Sequence, residues 1–421
     1  MREQRVLMVA YHFPPLAGSS GVQRTLRFVQ HLSAFGWQPL VLSADPRAYE
    51  RTSDDLSADI PAGTVVRRAF ALDTGKHLSW RGSYVAAMAR PDRWMSWRFD
   101  AVRQGMSLVR QFKPTVIWST YPIATAHLIG ADIQRRTGLP WVADFRDPMA
   151  QDDYPPDAKT REQYVQIERH ALLTAAASTF TTPGAAAEYR LRYPAAAPRV
   201  HVLENGYDEE TFADIAARPG MHAGPLNPGA TTLLHSGIVY PSERDPTQLM
   251  VGLRRLHESK VVVPGMLKVR FRAAVAEELL RRLATDCGVE AYVEILPPLA
   301  YREALVEMLR ADALLIMQAS NCNAQIPAKL YEYMRARRPI LCLSDPAGDT
   351  ASALRAAGVT AVARLDDAPD IERLFRQFLR RDGIPLQTLA DDLAIQTASR
   401  RRRSQALAHL LGAVAKGGTA R

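Results

Sequence analysis

The stretch ALLIMQASNCNAQIPAKLYEYMRARRPILCL, Ala313 to Leu343, decides the fold class. It opens on an apolar run, Ala313–Met317, of strand length and shorter than a buried helix needs. A polar loop follows, and Pro327 stands where the first turn of a helix accepts proline. Lys329–Arg335 reads as that helix, and Ile340–Leu343 closes the unit as a second strand. A strand, a crossover helix and a strand read as one right-handed parallel unit.

The same alternation extends outward from this unit. Strands are expected at Thr232–His235, Leu267–Arg272, Tyr292–Leu296 and Val359–Ala363, with helices at Thr247–His257, Val275–Thr285 and Ile371–Leu379. Upstream, RPGMHAGPLNP (Arg218–Pro228) holds three prolines and two glycines and reads as a linker. Before it, strands are expected at Val6–Ala10, Pro39–Ser43, Val65–Phe70, Val116–Thr120, Trp141–Phe145 and Val200–Leu203. Helices lie between, at Val22–Phe35 with Gly36 as its cap, Met106–Phe112 and Ala124–Arg136. The expected architecture is α/β, with two Rossmann-like doubly wound domains. They cover residues 1–217 and 229–385, joined by the linker 218–228 and followed by a basic helical segment, 386–421. Two such domains imply a cleft, with ligands beyond the carboxyl ends of the strands.

Composition narrows the function classes. With 421 residues, 47% hydrophobic and 23% charged, the chain is an ordinary globular mixture, which excludes a disordered or collagen-like chain. The net charge of +9 favours an anionic partner. Residues 380–421 hold eight basic and three acidic side chains, 8 − 3 = +5, more than half of that excess. Cys287, Cys322 and Cys342 form no CxxC pair, which points to a reducing compartment and away from a zinc ribbon. The apolar stretch Val6–Ala10 is too short for a signal-peptide core, and no run approaches the ~18 residues of a spanning helix. The expected location is cytoplasmic, or peripheral on the inner face of the cytoplasmic membrane.

Five loops that follow strands can carry chemistry. In YHFPPLAGSSGVQR (Tyr11–Arg24), Gly18 and Gly21 bracket a helix start, where backbone N–H groups can approach an anion. A tight turn without a ligand is the other reading. In WVADFRDPM (Trp141–Met149), Asp144, Arg146 and Asp147 are either a self-satisfied ionic knot or a site for a hydroxyl-bearing substrate. His127 lies in a mostly apolar helical segment, where a core histidine is the plain alternative to a catalyst. In LENGYDEETF (Leu203–Phe212), Asn205-Gly206 signals a turn and Asp208 suits a helix cap. In HSGIVYPSERDP (His235–Pro246), Gly237 follows a strand and Arg244 precedes a helix that Asp245 and Pro246 would start. In the opening stretch, Pro327 leaves the N–H groups of Ala328, Lys329 and Leu330 as candidates for an anion. Lys329 and Glu332 are three apart and share a helix face, suiting a pyrophosphate and a ribose diol, or forming an ordinary surface ion pair.

Taken in this order, the segments resemble the retaining glycosyltransferases of family 4, with the GT-B fold, over nearly the whole chain. Asp144-Phe-Arg-Asp147, Asn205-Gly206-Tyr207-Asp208 and Ile326-Pro-Ala-Lys-Leu-Tyr-Glu332 resemble motifs of a polysaccharide-assembly branch. Two departures stand out. The family carries two glutamates bracketing seven residues; Glu332 matches the second, and Ala324 stands at the first. An arginine and a lysine usually meet the diphosphate; Arg244 takes the lysine position, and Ile238 stands where the arginine would be, with Lys329 as the candidate replacement.

The resemblance implies transfer of a sugar from a UDP- or GDP-linked donor to an acceptor hydroxyl, with retention, in polysaccharide or glycoconjugate assembly. Arg244, Lys329, Asp144 and His127 would be catalytic. Gly18, Gly21, Gly237, Arg244, Gln325, Ile326, Pro327, Lys329 and Glu332 would bind the donor, and Asp144, Arg146 and Asp147 the acceptor. No metal and no cofactor are expected, and no DxD-like acidic pair adjoins the proposed phosphate site. The acceptor would be a glycan or lipid-linked glycan. Arg400–Arg403 before Leu407, Leu410 and Leu411 would touch anionic lipid weakly, or the closing helix would strap back onto the first domain, as GT-B chains commonly do. Two rival readings are a nucleotide-sugar epimerase of the same fold and a basic nucleic-acid-binding protein. The latter lacks any recognition-module signature.

Overall fold

The computed structural model describes the chain except residues 1–3, 19, 82, 153, 219, 221–223, 381–385 and 419–421. Part of the expected linker (219, 221–223) and the expected boundary at 385 lie outside the described residues, as do Arg381, Asp382 and Arg421. The chain divides into two compact units: Met1–Asn205 with Arg400–Arg421, and Gly206–Ser399.

The first unit holds a parallel seven-stranded sheet. Its strands are β1 (Gln4–Val9), β2 (Trp37–Ala44), β3 (Val65–Ala69), β4 (Val116–Thr120), β5 (Trp141–Arg146), β6 (Ala177–Phe180) and β7 (Val200–Val202), in the order β3-β2-β1-β4-β5-β6-β7. Alternate residues enter opposite cores, as the period of a strand requires. Leu7, Val9, Leu40, Leu42, Ile117 and Phe145 fill one, with the helices Trp97–Phe112, Ala124–Thr137 and Ala158–Thr174. Val6, Met8, Val41, Trp118 and Val142 fill the other, with Leu26 and Val29 of the helix Ser20–His31. That helix tightens into a 3₁₀ turn, Leu32–Phe35, and Gly36 closes it at φ 80°, a left-handed conformation suited to glycine. Strand β6 escapes the sequence reading because its four residues, Ala-Ser-Thr-Phe, carry no apolar run.

The second unit repeats the plan with β8 (Thr231–Ser236), β9 (Leu267–Arg272), β10 (Val293–Leu296), β11 (Ala313–Gln318), β12 (Ile340–Ser344) and β13 (Val362–Ala363). Their order is β10-β9-β8-β11-β12-β13, and every described pair is parallel. In both sheets the strand order reverses beside the first strand, so the loops after β1 and β4, and after β8 and β11, meet at switch points.

The unit boundary falls at Asn205–Gly206, ahead of the Pro/Gly-rich segment. The cause is the helix Glu209–Ala216: Phe212 and Ile215 are buried in the second unit's core, and the Asp208 side chain caps that helix at the Thr211 N–H, as expected. The C-terminal segment also differs from a single helix. Asp391 caps a short helix, Asp392–Thr397, and Tyr207 N–H donates to Ala398 O (3.2 Å), drawing the chain aside. A second helix, Arg400–Gly418, then belongs to the first unit. Leu407 and Leu411 are fully buried beside Phe28, Val29 and Leu32. The leucines that could have met lipid are therefore core residues of the strap. The expected helix start at Val275 is corrected too: Val275 has φ 65°, and the helix runs Glu277–Cys287. Among the described residues, no helix is long and apolar enough to cross a membrane.

Candidate functional site

In the second unit, the predicted donor residues gather at the ends of β8 and β11. Gln318 Nε2 donates to the carbonyls of Cys322 (2.8 Å) and Gln325 (3.1 Å). Thr350 Oγ1 donates to Gln318 Oε1 (2.6 Å) and lies 3.0 Å from Gln325 O. These bonds fix the loop after β11, bury Ile326 and deliver Pro327 to the start of the helix Lys329–Ala336. One expectation needs correction here: the Leu330 N–H is taken by Pro327 O (2.9 Å) and is not available to an anion.

From that helix start the Lys329 side chain reaches the end of β8. Its Nζ is 3.1 Å from His235 Nε2, and a Cβ at Gly237 would stand 3.2 Å from it. Gly237 also has φ 120°, so glycine is needed there for conformation as well as room. Tyr333 locks the same helix to β8, its hydroxyl accepting the Ser236 N–H at 2.9 Å. Burial pushes the Lys329 ammonium well below its ordinary range, Arg244 lowers it further, and Glu332 opposes both. Arg244 lies over the Tyr240 ring (5.2 Å) and makes a long bond to Ile238 O (3.4 Å). Its buried Nε has no hydrogen-bond partner among the described residues. The helix after it starts one residue later than expected: Pro246 is its N-cap, and Asp245 accepts the Thr247 N–H (2.9 Å). One turn beyond Lys329, Glu332 Oε1 accepts the Tyr301 hydroxyl at 2.9 Å.

In the first unit the anionic knot is real, and its cation is Arg24, not Arg146. Arg24 forks onto Asp144, Nε to Oδ2 at 3.0 Å and Nη2 to Oδ1 at 2.8 Å, with both side chains buried. Thr120 and Thr179 hydroxyls donate to the two oxygens at 2.8 and 2.7 Å. Burial alone would raise this carboxyl, but Arg24 and the hydroxyls outweigh it and hold it below its ordinary value. With four donors on two oxygens, Asp144 has no lone pair left for an acceptor. Arg24 also donates to Leu203 O (2.9 Å) and Glu204 O (3.2 Å), which ties the turn at Asn205 to the glycine loop. The sequence reading missed Arg24. Its signal was a charged residue among the buried positions Val22, Leu26 and Val29, which calls for a buried acid.

Arg146 sits at φ 64°, where β5 and β6 slip register. Its carbonyl accepts the N–H and hydroxyl of Thr181 (2.8 and 2.9 Å), and its Nη1 donates to Tyr121 O at 3.2 Å. Burial lowers its guanidinium, and its buried Nε has no partner among the described residues. Gly21 lies against it: a Cβ there would be 2.6 Å from Arg146 Nη1 and 2.4 Å from His12 Nδ1. His12 is held neutral, its value pushed down to about 3 by burial and by Arg146. Asp147 Oδ1 accepts from Thr181 Oγ1 at 3.3 Å. Gly18 is exposed at φ 80°, a turn position with open space around it.

His127 is not among these groups. It is 1% exposed, packed against Phe145 and Trp141. Its Nδ1 is 2.8 Å from Ser119 Oγ, which also accepts the Trp141 indole N–H at 2.8 Å. Burial pushes it down to about 4, so it is a neutral core histidine, and the catalytic expectation is withdrawn.

Comparison with known proteins matches this geometry. Residues 20–206 fit the family described as glycosyl transferase 4-like domain, almost the extent of the first unit's main segment. The chain carries a glycosyl transferase 4-like domain. No curated protein sequence matches the chain significantly. Among solved structures it is similar to sucrose-phosphate synthase from Thermosynechococcus elongatus (12% identity, 98% of this chain and 97% of that one, TM-score 0.61). It is also similar to α,α-trehalose 6-phosphate synthase from Burkholderia multivorans (11%, 99% and 100%, 0.62). A third is UDP-GlcNAc 2-epimerase from Neisseria meningitidis bound to UDP-GlcNAc (11%, 97% and 100%, 0.56). At these identities the likeness is one of fold. The glycosyl transferase 4-like domain and the unit that follows it have the two Rossmann-like sheets of the GT-B fold.

Proposed function

We propose that this glycosyltransferase moves a sugar, with retention, from a nucleotide diphosphate sugar to an acceptor hydroxyl of a growing glycan or lipid-linked glycan. The observation that carries the proposal is the pair of cations at the end of β8. Lys329 and Arg244 lie close enough to depress the lysine's charge, and a diphosphate would relieve that repulsion. The leaving nucleoside diphosphate develops negative charge, which fixed cations stabilise in the transition state. Lys329 supplies the charge that Ile238 cannot, Arg244 brings a buried unpartnered N–H, and Glu332 accepts from a ribose diol. Gly237, Gln325, Ile326 and Pro327 shape the donor site. Arg146 and Asp147, beside Gly21, contact the acceptor, while Asp144 holds them in place from behind.

The reaction runs on these side chains without a metal, so added EDTA leaves turnover unchanged. A panel of UDP- and GDP-sugars, read by release of UDP or GDP with and without glycan acceptors, tests the reading. Acceptor-dependent release supports it. Interconversion of the donor sugar with no acceptor present supports an epimerase, an activity found on this fold in the Neisseria meningitidis protein.

A further inference from the structure

His235 was passed over in the sequence, and the assigned reaction does not use it. It lies near the end of β8, fully buried, where a parallel strand covered on both faces ordinarily carries an apolar side chain. A buried imidazole needs a partner at each nitrogen. Nδ1 lies 2.9 Å from the carbonyl oxygen of Leu315 in β11. A carbonyl only accepts, so Nδ1 carries the proton and Nε2 is left as a lone pair. Lys329 Nζ stands 3.1 Å from that lone pair. The main chain of β11 thus sets the tautomer, and the tautomer sets an acceptor for the lysine. Burial, with Lys329 and Arg244 nearby, keeps the ring neutral, so it does not compete with the ammonium as a second cation.

We propose that His235 is the positioning residue for Lys329, fixing its Nζ above the Gly237 turn so that its remaining N–H donors are aimed before the diphosphate arrives. The proposal rests on Lys329 meeting the diphosphate. A lysine has a flexible four-carbon stem and a point charge, so an unsupported Lys329 would lose rotamer freedom on each binding event. A neutral acceptor at the end of β8 removes that loss in advance, and the missing side chain at Gly237 leaves the space for it.

Calorimetry with UDP and with GDP tests this on the full chain, using His235→Phe, His235→Gln, Lys329→Ala and the double variant His235→Phe/Lys329→Ala. Phenylalanine keeps the ring and removes both hydrogen bonds; glutamine offers one donor and one acceptor, like the neutral imidazole. The expected result is an about tenfold weaker affinity for the bound nucleotide in His235→Phe, restored at least in part by glutamine. In the Lys329→Ala background the phenylalanine has no further effect, because contacting residues are not additive. An equal loss in both backgrounds overturns the proposal, since the histidine would then act without the lysine. Undiminished affinity in Lys329→Ala instead overturns the diphosphate role of Lys329 itself. Should His235→Phe fail to fold by circular dichroism, His235→Gln and His235→Asn carry the same comparison: asparagine satisfies Leu315 O but is too short to reach Lys329, and wild-type affinity in it refutes the proposal.

Discussion

Arg24 and Asp144 form a two-pronged ion pair, 2.8 and 3.0 Å, in which neither side chain meets solvent. It joins the helix after the glycine loop to the end of β5, and through Leu203 and Glu204 to the turn that closes the first unit's main segment. Deleting one partner of a buried pair leaves the other charge uncompensated, at about 3–5 kcal/mol. Asp144→Ala is therefore expected to lower the urea midpoint of the first unit sharply, while Arg24→Ala/Asp144→Ala costs less than the two single losses combined. A fully additive double variant would contradict the coupling.

The same pair gives a pH dependence. The folded Asp144 carboxyl titrates below its ordinary value, so its stabilisation is complete above the unfolded value of about 3.9. It is lost as pH falls through the lower, folded value. Acid unfolding followed by circular dichroism should show the wild type losing this increment below about pH 4, whereas Asp144→Asn has already lost it at neutral pH. The stability gap between the two proteins should narrow as pH drops.

Gly21 tests the crowding between His12 and Arg146. An alanine Cβ would fall 2.4 and 2.6 Å from their nitrogens, so one of them must move. The imidazole nitrogen is part of a ring and cannot step aside as a flexible chain end can. Gly21→Ala is expected to cost about 1–3 kcal/mol, as overpacking does. It should also raise the KM for acceptor while leaving affinity for UDP or GDP unchanged. Weaker nucleotide binding in this variant would instead attach the glycine loop to the donor.

Lys329 predicts the alkaline limb of the rate profile. Its ammonium is held well below the ordinary lysine value of about 10.4, chiefly by burial, then by Arg244, with Glu332 opposing. Turnover should fall on the alkaline side well before that value, as the charge facing the diphosphate is lost. Lys329→Arg, which stays protonated, should remove this limb even if its absolute rate is lower. Glu332→Ala should leave the limb's origin intact but weaken UDP or GDP binding by about 1.5–3 kcal/mol, the worth of a hydrogen bond to a charged group.

Most of the fold was legible because parallel strands covered on both faces are continuous apolar runs, and eleven of their helices and turns are punctuated by glycine or proline. Val116–Thr120 and Leu267–Arg272 coincide with the expectation end to end. The strand Ala177–Phe180 was hidden by small, polar residues whose burial comes from their neighbours. The donor half of the site was legible because Gly237, Lys329 and Glu332 sit at fixed offsets from strand ends. The acceptor half was less so. Asp144 and Arg146 are adjacent in sequence, yet a register slip turns them to different partners, and Asp144's cation comes from 120 residues away. His127 looked chemical because a histidine in an apolar helix is rare, while its partners Ser119 and Trp141 lie on strands that no local pattern links to it.

The closing helix carries the last prediction. Leu407 and Leu411 are fully buried among Phe28, Val29 and Leu32, so Leu411→Ala should cost about 2–5 kcal/mol, as core truncations do. Arg400 is buried, and Arg403 pairs with Glu204 and donates to Asn205 O at 3.2 Å. That leaves Arg401 and Arg402 as the exposed members of the basic run. Two such charges are worth ~1 kcal/mol each against anionic lipid, too little for stable attachment. Co-sedimentation with phosphatidylserine vesicles at low salt should therefore show weak binding at most, reduced to the level of neutral vesicles in Arg401→Gln/Arg402→Gln. The same double substitution should leave the unfolding midpoint in place, since neither side chain is part of the strap's buried face. Strong vesicle binding that survives it would show that any membrane contact uses another surface, and that the helix serves only to hold the first unit together.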